Sequence, residues 1–254
     1  MNDILVLKEN GSLVKELQAN EQAIIYQSLD TTIDNIDLNL KENASLVLLT
    51  FNNGTIKDVN LKSTLASGAS LTIYNMIISK SDVSLKEEIY VSDKDASVNI
   101  LNVCLGYEDA KINSFIHIFH NSEYTNSELE TYAIAIDKAT LTLDNNATIK
   151  KGCRKTVVHQ KAKGLNLSKE STIKAQPNLY IDEFDVEASH SASVGNINKD
   201  ELFYLMSRGL PENEARKIVV LGFINPLIDK IQTVNQEARD IKEGILAEFS
   251  QKLK

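Results

Sequence analysis

The phrases NASLVLL (43–49), GASLTIY (68–74) and DASVNIL (95–101) recur at a spacing of about 25 residues. Each opens on a turn-forming residue and a small residue. Each then alternates apolar and polar positions, which puts every second side chain on one face of a strand. Between the copies lies a second extended element: IDLNL (36–40), VNLKSTL (59–65) and VSLKEEI (83–89). Turn signals such as NNG, ASG and SDKD separate the elements. One such unit cannot bury its apolar side chains alone, but stacked units bury one another's. A β-sandwich also supplies many short strands, yet does not require similar phrases at regular spacing. The repeat therefore predicts a β-solenoid.

Further strand-like stretches follow: SVNILNVCL (97–105), FIHIF (115–119), TYAIAI (131–136), LTLD (141–144) and NLYI (178–181). Val, Ile, Leu and Thr dominate them, as strands prefer. Weaker relatives of the repeat appear at KATLTLDNNATI (138–149) and KESTIKAQ (169–176). The solenoid is expected to occupy residues 1–195.

The pattern changes after Gly195. Asn198 and Glu201 have capping-box spacing, and KDELFYLMS reads as a short helix ended by Gly209. Pro211 suits the first turn of a second helix, PENEARKIVVLGFI, and Pro226 is expected to open a third. The third carries an apolar stripe: Leu227, Ile231, Val234, Ala238, Ile241, Ile245, Phe249 and Leu253. Gln232, Gln236, Arg239, Glu243 and Lys252 line its other face. Residues 196–254 are thus expected to form a small helical domain. Its stripe docks either on the solenoid and neighbouring helices or on a partner.

The chain of 254 residues has a net charge of −8, 43% hydrophobic residues and no Trp. The charge gives no reason to expect nucleic-acid binding. The N-terminus lacks the pattern of a signal peptide, and no apolar run is long enough to span a membrane, so a cytoplasmic location is expected. Cys104 and Cys153 have no metal-ligand spacing and read as core residues. No GxxxxGK[ST], GxSxG, HExxH or CxxC motif is present. Acidic residues are scattered through turns and aromatics are few, which disfavours a carbohydrate-active solenoid enzyme.

Four histidines remain. His117 and His120, three apart on a strand, point to opposite faces and make a poor metal pair. His159 reads as a hydrogen-bonded structural residue. His190 is set among small residues (Ala188, Ser189, Ser191, Ala192, Ser193), so a partner chain or an ion could approach closely. Imidazole is a suitable ligand for iron or zinc, but one histidine cannot hold a metal alone.

The stretch PNLYIDEFDVEASHSASVGNINKDELFYLMSRGLPENEARKIVVLGF resembles the C-terminal signature of the SufB/SufD family of iron–sulfur cluster assembly scaffolds. The matching positions are Pro177, Leu179, Ile181, Asp185, Val186, Ser189, His190, Ala192, Val194, Gly195, Phe203, Tyr204, Leu205, Ser207, Arg208, Gly209 and Ala215. The resemblance implies a right-handed parallel β-helix, a small-residue turn around His190, and a non-enzymatic scaffold. It implies partnership with SufC, an ABC-type ATPase docking on the helical end, and with a SufB-type homologue through the β-helices. A cysteine desulfurase system would deliver sulfur indirectly. No cofactor would be bound permanently; a transient iron–sulfur cluster or iron would sit at a subunit interface.

SufB-type members carry His-Glu at the joint and a cysteine on the strand matching KAKGLNLS. Here the pair is His190-Ser191, and Ala162 occupies the cysteine position. The chain is therefore more similar to SufD, with His190 as the residue facing the cluster. The partner-binding expectation falls on Phe203, Tyr204, Arg208, Val219 and Phe223. The alternative is a homodimeric scaffold working with the ATPase alone. Family members usually have a helical region before the β-helix, and none is legible here.

Overall fold

A computed structural model describes residues 3–231 and 236–252. Fifteen strands run β1 (Asp3–Leu7), β2 (Gly11–Leu17), β3 (Gln22–Gln27), β4 (Ile33–Leu40), β5 (Ser45–Asn52), β6 (Asp58–Leu65), β7 (Ser70–Ser79), β8 (Val83–Val91), β9 (Ser97–Gly106), β10 (Lys111–His120), β11 (Asn126–Ala135), β12 (Thr140–Ile149), β13 (Val157–Asn166), β14 (Thr172–Ile181) and β15 (Glu187–Asn196). Odd-numbered strands stack in order as one parallel sheet, and β2 to β14 stack as a second. The molecule is a β-solenoid, as the repeat predicted, with parallel strands and a helical C-terminal end.

The repeat phrases explain the stacking. Their first residues, Asn43, Gly68 and Asp95, all have left-handed backbone (φ 55°, 65° and 61°), a conformation that these residue types tolerate. The amide of Asn43 donates to Ser67 and that of Gly68 to Lys94, so each turn is pinned to the next coil. A Cβ at Gly68 would lie 2.2 Å from the Asn43 side-chain oxygen. The following alanines, Ala44, Ala69 and Ala96, are wholly buried. The strands then interdigitate inward, with Leu46, Leu48, Leu71, Ile73, Val98 and Ile100 in one core cluster. The step between coils lengthens from 25 residues at Thr50–Asn75 to 31 at Thr125–Thr156.

The helices are α1 (Lys199–Ser207), α2 (Glu212–Ile228) and α3 (Gln236–Lys252). The Asn198 side chain accepts from the Asp200 amide at 2.9 Å and caps α1. Pro226 does not open a third helix: it lies inside α2. A proline there forfeits one hydrogen bond to the preceding turn, and burial of Leu227 and Ile228 holds the last turn in place. The expected single stripe is consequently divided. Leu227 and Ile231 belong to the end of α2 and the residues after it, and Ile241 and Ile245 to α3. Gln232, Val234 and Leu253 lie outside the described residues, as do the side chains of Ala238, Phe249 and Lys252.

The described part of the stripe covers the protein's own solenoid. Val220, Ile224, Leu227, Ile228, Ile231, Ile241 and Ile245 share a cluster with Tyr26, Leu49, Tyr74, Leu101 and Tyr132, which lie on the odd-numbered sheet. No helix among the described residues is long and apolar enough to cross a membrane.

Candidate functional site

His190 lies in the middle of β15, not in a turn. The small residues around it carry no apolar alternation. Pairing with β13 is what makes the segment a strand: Gln160 registers with His190, Lys161 with Ser191, and Ala162 with Ala192. In-register parallel strands project matched side chains to one side, so the row Leu129–Gln160–His190 continues across the sheet. The neighbouring row is Thr131–Ala162–Ala192.

β14 and β15 are the last strands of the two sheets. Among the described residues no further coil covers them, and His190 is exposed, as is most of β15. Large apolar side chains gather at this end: Tyr180 is 54% exposed, Phe184 101%, and Ile181 and Val194 are also exposed. An uncovered strand edge is a template for another chain. Between Glu187 and Asn196, β15 has no acidic or lysine/arginine side chain to repel one.

The other histidines are occupied. His120 faces inward and is fully buried. Its Nδ1 meets Thr125 Oγ1 at 2.8 Å and its Nε2 meets Ser127 Oγ at 2.9 Å. Burial pushes its pKa down to about 4. His117 lies on the outer face, stacked on Phe119 at 3.8 Å, with Nε2 2.8 Å from Thr148 Oγ1. His159 Nδ1 meets Ser189 Oγ at 2.8 Å, while Glu187 stays 3.9 Å from Nε2, beyond hydrogen-bond reach. This Ser–His–Glu file stands on an exposed sheet face, without the enclosure that acyl transfer needs. Both cysteines are buried, and burial raises the Cys104 thiol to about 12, away from the reactive thiolate. No group of three or more metal-ligating side chains exists among the described residues.

The proposed partner-binding residues divide into two sets. Phe203 and Tyr204 on α1 are 72% and 58% exposed, and the Arg208 guanidinium lies 5.2 Å from the Tyr204 ring centre. α1 buries none of its residues. Val219 on α2 is half-buried and lines a groove with Asp200, Glu201, Tyr204 and Leu205. Phe223, one turn further along α2, meets Tyr132 of β11 edge-on at 5.4 Å. Its ring helps hold α2 on the solenoid.

Sequence reasoning missed the inward polar side chains. Asn75 donates to Glu87 at 2.9 Å, and Asn102 to Ser114 at 2.8 Å, inside the core. Gln160 belongs to this set. Polar residues at inward positions of alternating strands were the available signal.

Residues 1–223 match the family described as SUF system FeS cluster assembly, SufBD core domain. The iron–sulfur cluster assembly protein SufD of Bacillus subtilis is 33% identical over 129 residues, 51% of this chain and 30% of that protein. A SufBD family iron–sulfur cluster assembly protein of Mycobacterium leprae is 24% identical over 230 residues, 89% of this chain and 26% of its own. One from Pyrococcus horikoshii is 36% identical over 94 residues, 35% of this chain and 21% of its own. The matched part is less than a third of the length of each of these relatives.

Proposed function

The chain belongs to the SufBD family of iron–sulfur cluster assembly proteins, and from that membership we propose that it is a SufD-type, non-enzymatic scaffold subunit working in the cytoplasm. In this reading the open end of the solenoid pairs with a SufB-type homologue, and His190 contributes one ligand to an iron or cluster held between the two. Iron and sulfide are cargo here, and the remaining ligands come from the partner. The observation that carries the reading is His190 standing exposed on the uncovered last coil, among side chains small enough for a partner to approach. Ala162 one row away supplies no thiolate, which favours the SufD type over the SufB type.

The second surface is α1 with the Val219 groove. Phe203, Tyr204 and Arg208 are residue types enriched at protein interfaces, and here they are exposed. A SufC-type ATPase is the proposed occupant. The test is reconstitution of the chain with a SufB-type homologue and the ATPase, followed by anaerobic loading with iron(II) and sulfide. His190→Ala is expected to leave complex formation unchanged and to lower the cluster retained at least tenfold. Retention equal to the unchanged protein would overturn the assignment.

A homodimer is the second reading. The charge-poor centre of β15 can pair with its own copy without repulsion. A two-fold symmetric dimer that loads iron without any SufB-type chain would establish it.

A further inference from the structure

Gln160 is 3% exposed, and neither its Oε1 nor its Nε2 has a hydrogen-bond partner among the described residues. Inward strand amides elsewhere have partners: Asn75 meets Glu87, Asn102 meets Ser114, and Asn145 donates to Thr131 at 3.0 Å; of the buried amides only Gln160 is unmatched at both ends among the described residues, Asn121 lacking a partner at its oxygen alone. A buried carboxamide unmatched at both ends is costly, and such groups are rare unless they have a partner to come. Gln160 is the register partner of His190 and projects to the same side of the sheet.

His190 has the complementary vacancy. No hydrogen bond or ion pair reaches its ring among the described residues. A neutral imidazole carries one N–H and one lone pair, and the partner of the N–H decides which nitrogen is free to ligate. Histidines that ligate metals nearly always donate the other ring N–H to a fixed acceptor. The side chains beside the pair, Ala162, Ala188 and Ala192, offer no acceptor of their own. The Gln160 oxygen is a neutral acceptor that adds no charge to a buried position.

We propose that Gln160 is the positioning residue of the His190 site: its carboxamide oxygen accepts the ring N–H of His190 and leaves the other ring nitrogen, with its lone pair, for iron. This rests on the reading of His190 as an iron ligand. It adds a residue of this chain that acts through the histidine and never touches the metal.

Two measurements test it, and they fail separately. The first needs no metal. Long-range 1H–15N correlation of the histidine rings, recorded where the imidazole is neutral, reports the tautomer of each. The chain has 4 histidines, so a His190→Ala spectrum assigns the signal. A single tautomer is expected for His190 in the unchanged protein and in Gln160→Glu, which keeps the acceptor. An averaged pair is expected in Gln160→Leu, which keeps the buried bulk. Averaging in the unchanged protein, or no change in Gln160→Leu, overturns the pairing. The second is iron(II) titration of the chain assembled with its SufB-type partner. Gln160→Leu should weaken binding about tenfold, the usual effect of losing such a support. Unchanged affinity overturns the positioning role. If His190→Ala also binds iron normally while the tautomer is fixed, the ligand reading has failed and the pairing alone stands.

Discussion

Glu130 on β11 and Lys230, just beyond the end of α2, form an ion pair across 100 residues of sequence. Tyr132 donates to the same carboxylate at 2.9 Å, and Lys161 lies 3.6 Å from it. The Tyr74 hydroxyl donates to the Lys230 carbonyl at 2.8 Å. This cluster fastens the last turn of α2 to the solenoid, beside the apolar seam.

Glu130→Ala should loosen that fastening and lower stability by roughly 1–2 kcal/mol, the usual cost of orphaning charged hydrogen-bond partners. Hydrogen exchange should quicken in α2 and α3 while the coils keep their protection. Burial pushes the Glu130 carboxyl up, but hydrogen bonds from Lys230 and Tyr132 and the nearby lysine charges outweigh it, so its pKa is lowered. A lowered carboxyl stabilises the fold above its ordinary pKa, and the contribution is lost as pH falls through the lowered value. Equal exchange in the variant and the parent would show that the apolar seam alone holds the helices.

Glu87 behaves in the opposite sense. It is wholly buried, and desolvation raises its pKa to about 7 against the pull of the Asn75 hydrogen bond. The folded chain therefore binds a proton there more tightly than the unfolded chain. Stability from this group is full below the ordinary carboxylate pKa of about 4.5 and declines until pH passes about 7. Glu87→Gln should remove that decline and gain about 3 kcal/mol at pH 8, with little change at pH 4.5. Urea unfolding at the two pH values checks it, and an equal effect at both would contradict the buried-proton account.

His120 predicts a loss on the acid side. Its pKa is depressed to about 4 by burial, so the unfolded chain takes up its proton first as pH falls from about 6.5. Stability should drop by about 3 kcal/mol between pH 6.5 and 4 from this group alone. In His120→Gln that part of the slope should vanish, at some cost to the bonds with Thr125 and Ser127. An unchanged slope would place the acid sensitivity elsewhere.

Val219→Asp and Phe223→Asp should separate although both lie on α2. Val219 lines the groove against α1, so its replacement should leave the melting temperature within a few degrees and weaken binding of the proposed ATPase partner at least tenfold. Phe223 packs on Tyr132, so its replacement should cost roughly 2–4 kcal/mol and release the helices. Identical effects of the two would mean that the groove and the seam are one surface.

The positions that sequence reasoning found and those it missed differ in a physical way. Strands such as β5, β7 and β9 announce themselves by alternation, because each has a coil on both sides to bury its inward residues. β15, at the edge of its sheet, does not: EASHSASVGN carries too few apolar side chains for a period to show. The turn expected around His190 is a strand for that reason. Its conformation is set by hydrogen bonds to β13, which no local pattern records. Pro226 misled in the other direction, since a helix boundary was legible locally and the burial of Leu227 and Ile228 overrode it.

What the sequence determined by itself is the stacking: left-handed Asn43, Gly68 and Asp95 at the head of each phrase, and alternation behind them, specify coil upon coil through short-range chemistry. The tertiary structure alone decided which polar residues meet. It put Gln160 in register with His190, set Glu130 against Lys230, and turned Phe223 inward while Phe203 stays out. Those pairings depend on the register between coils and on where the helices fold back, and both arise only when distant segments compete for the same buried surface.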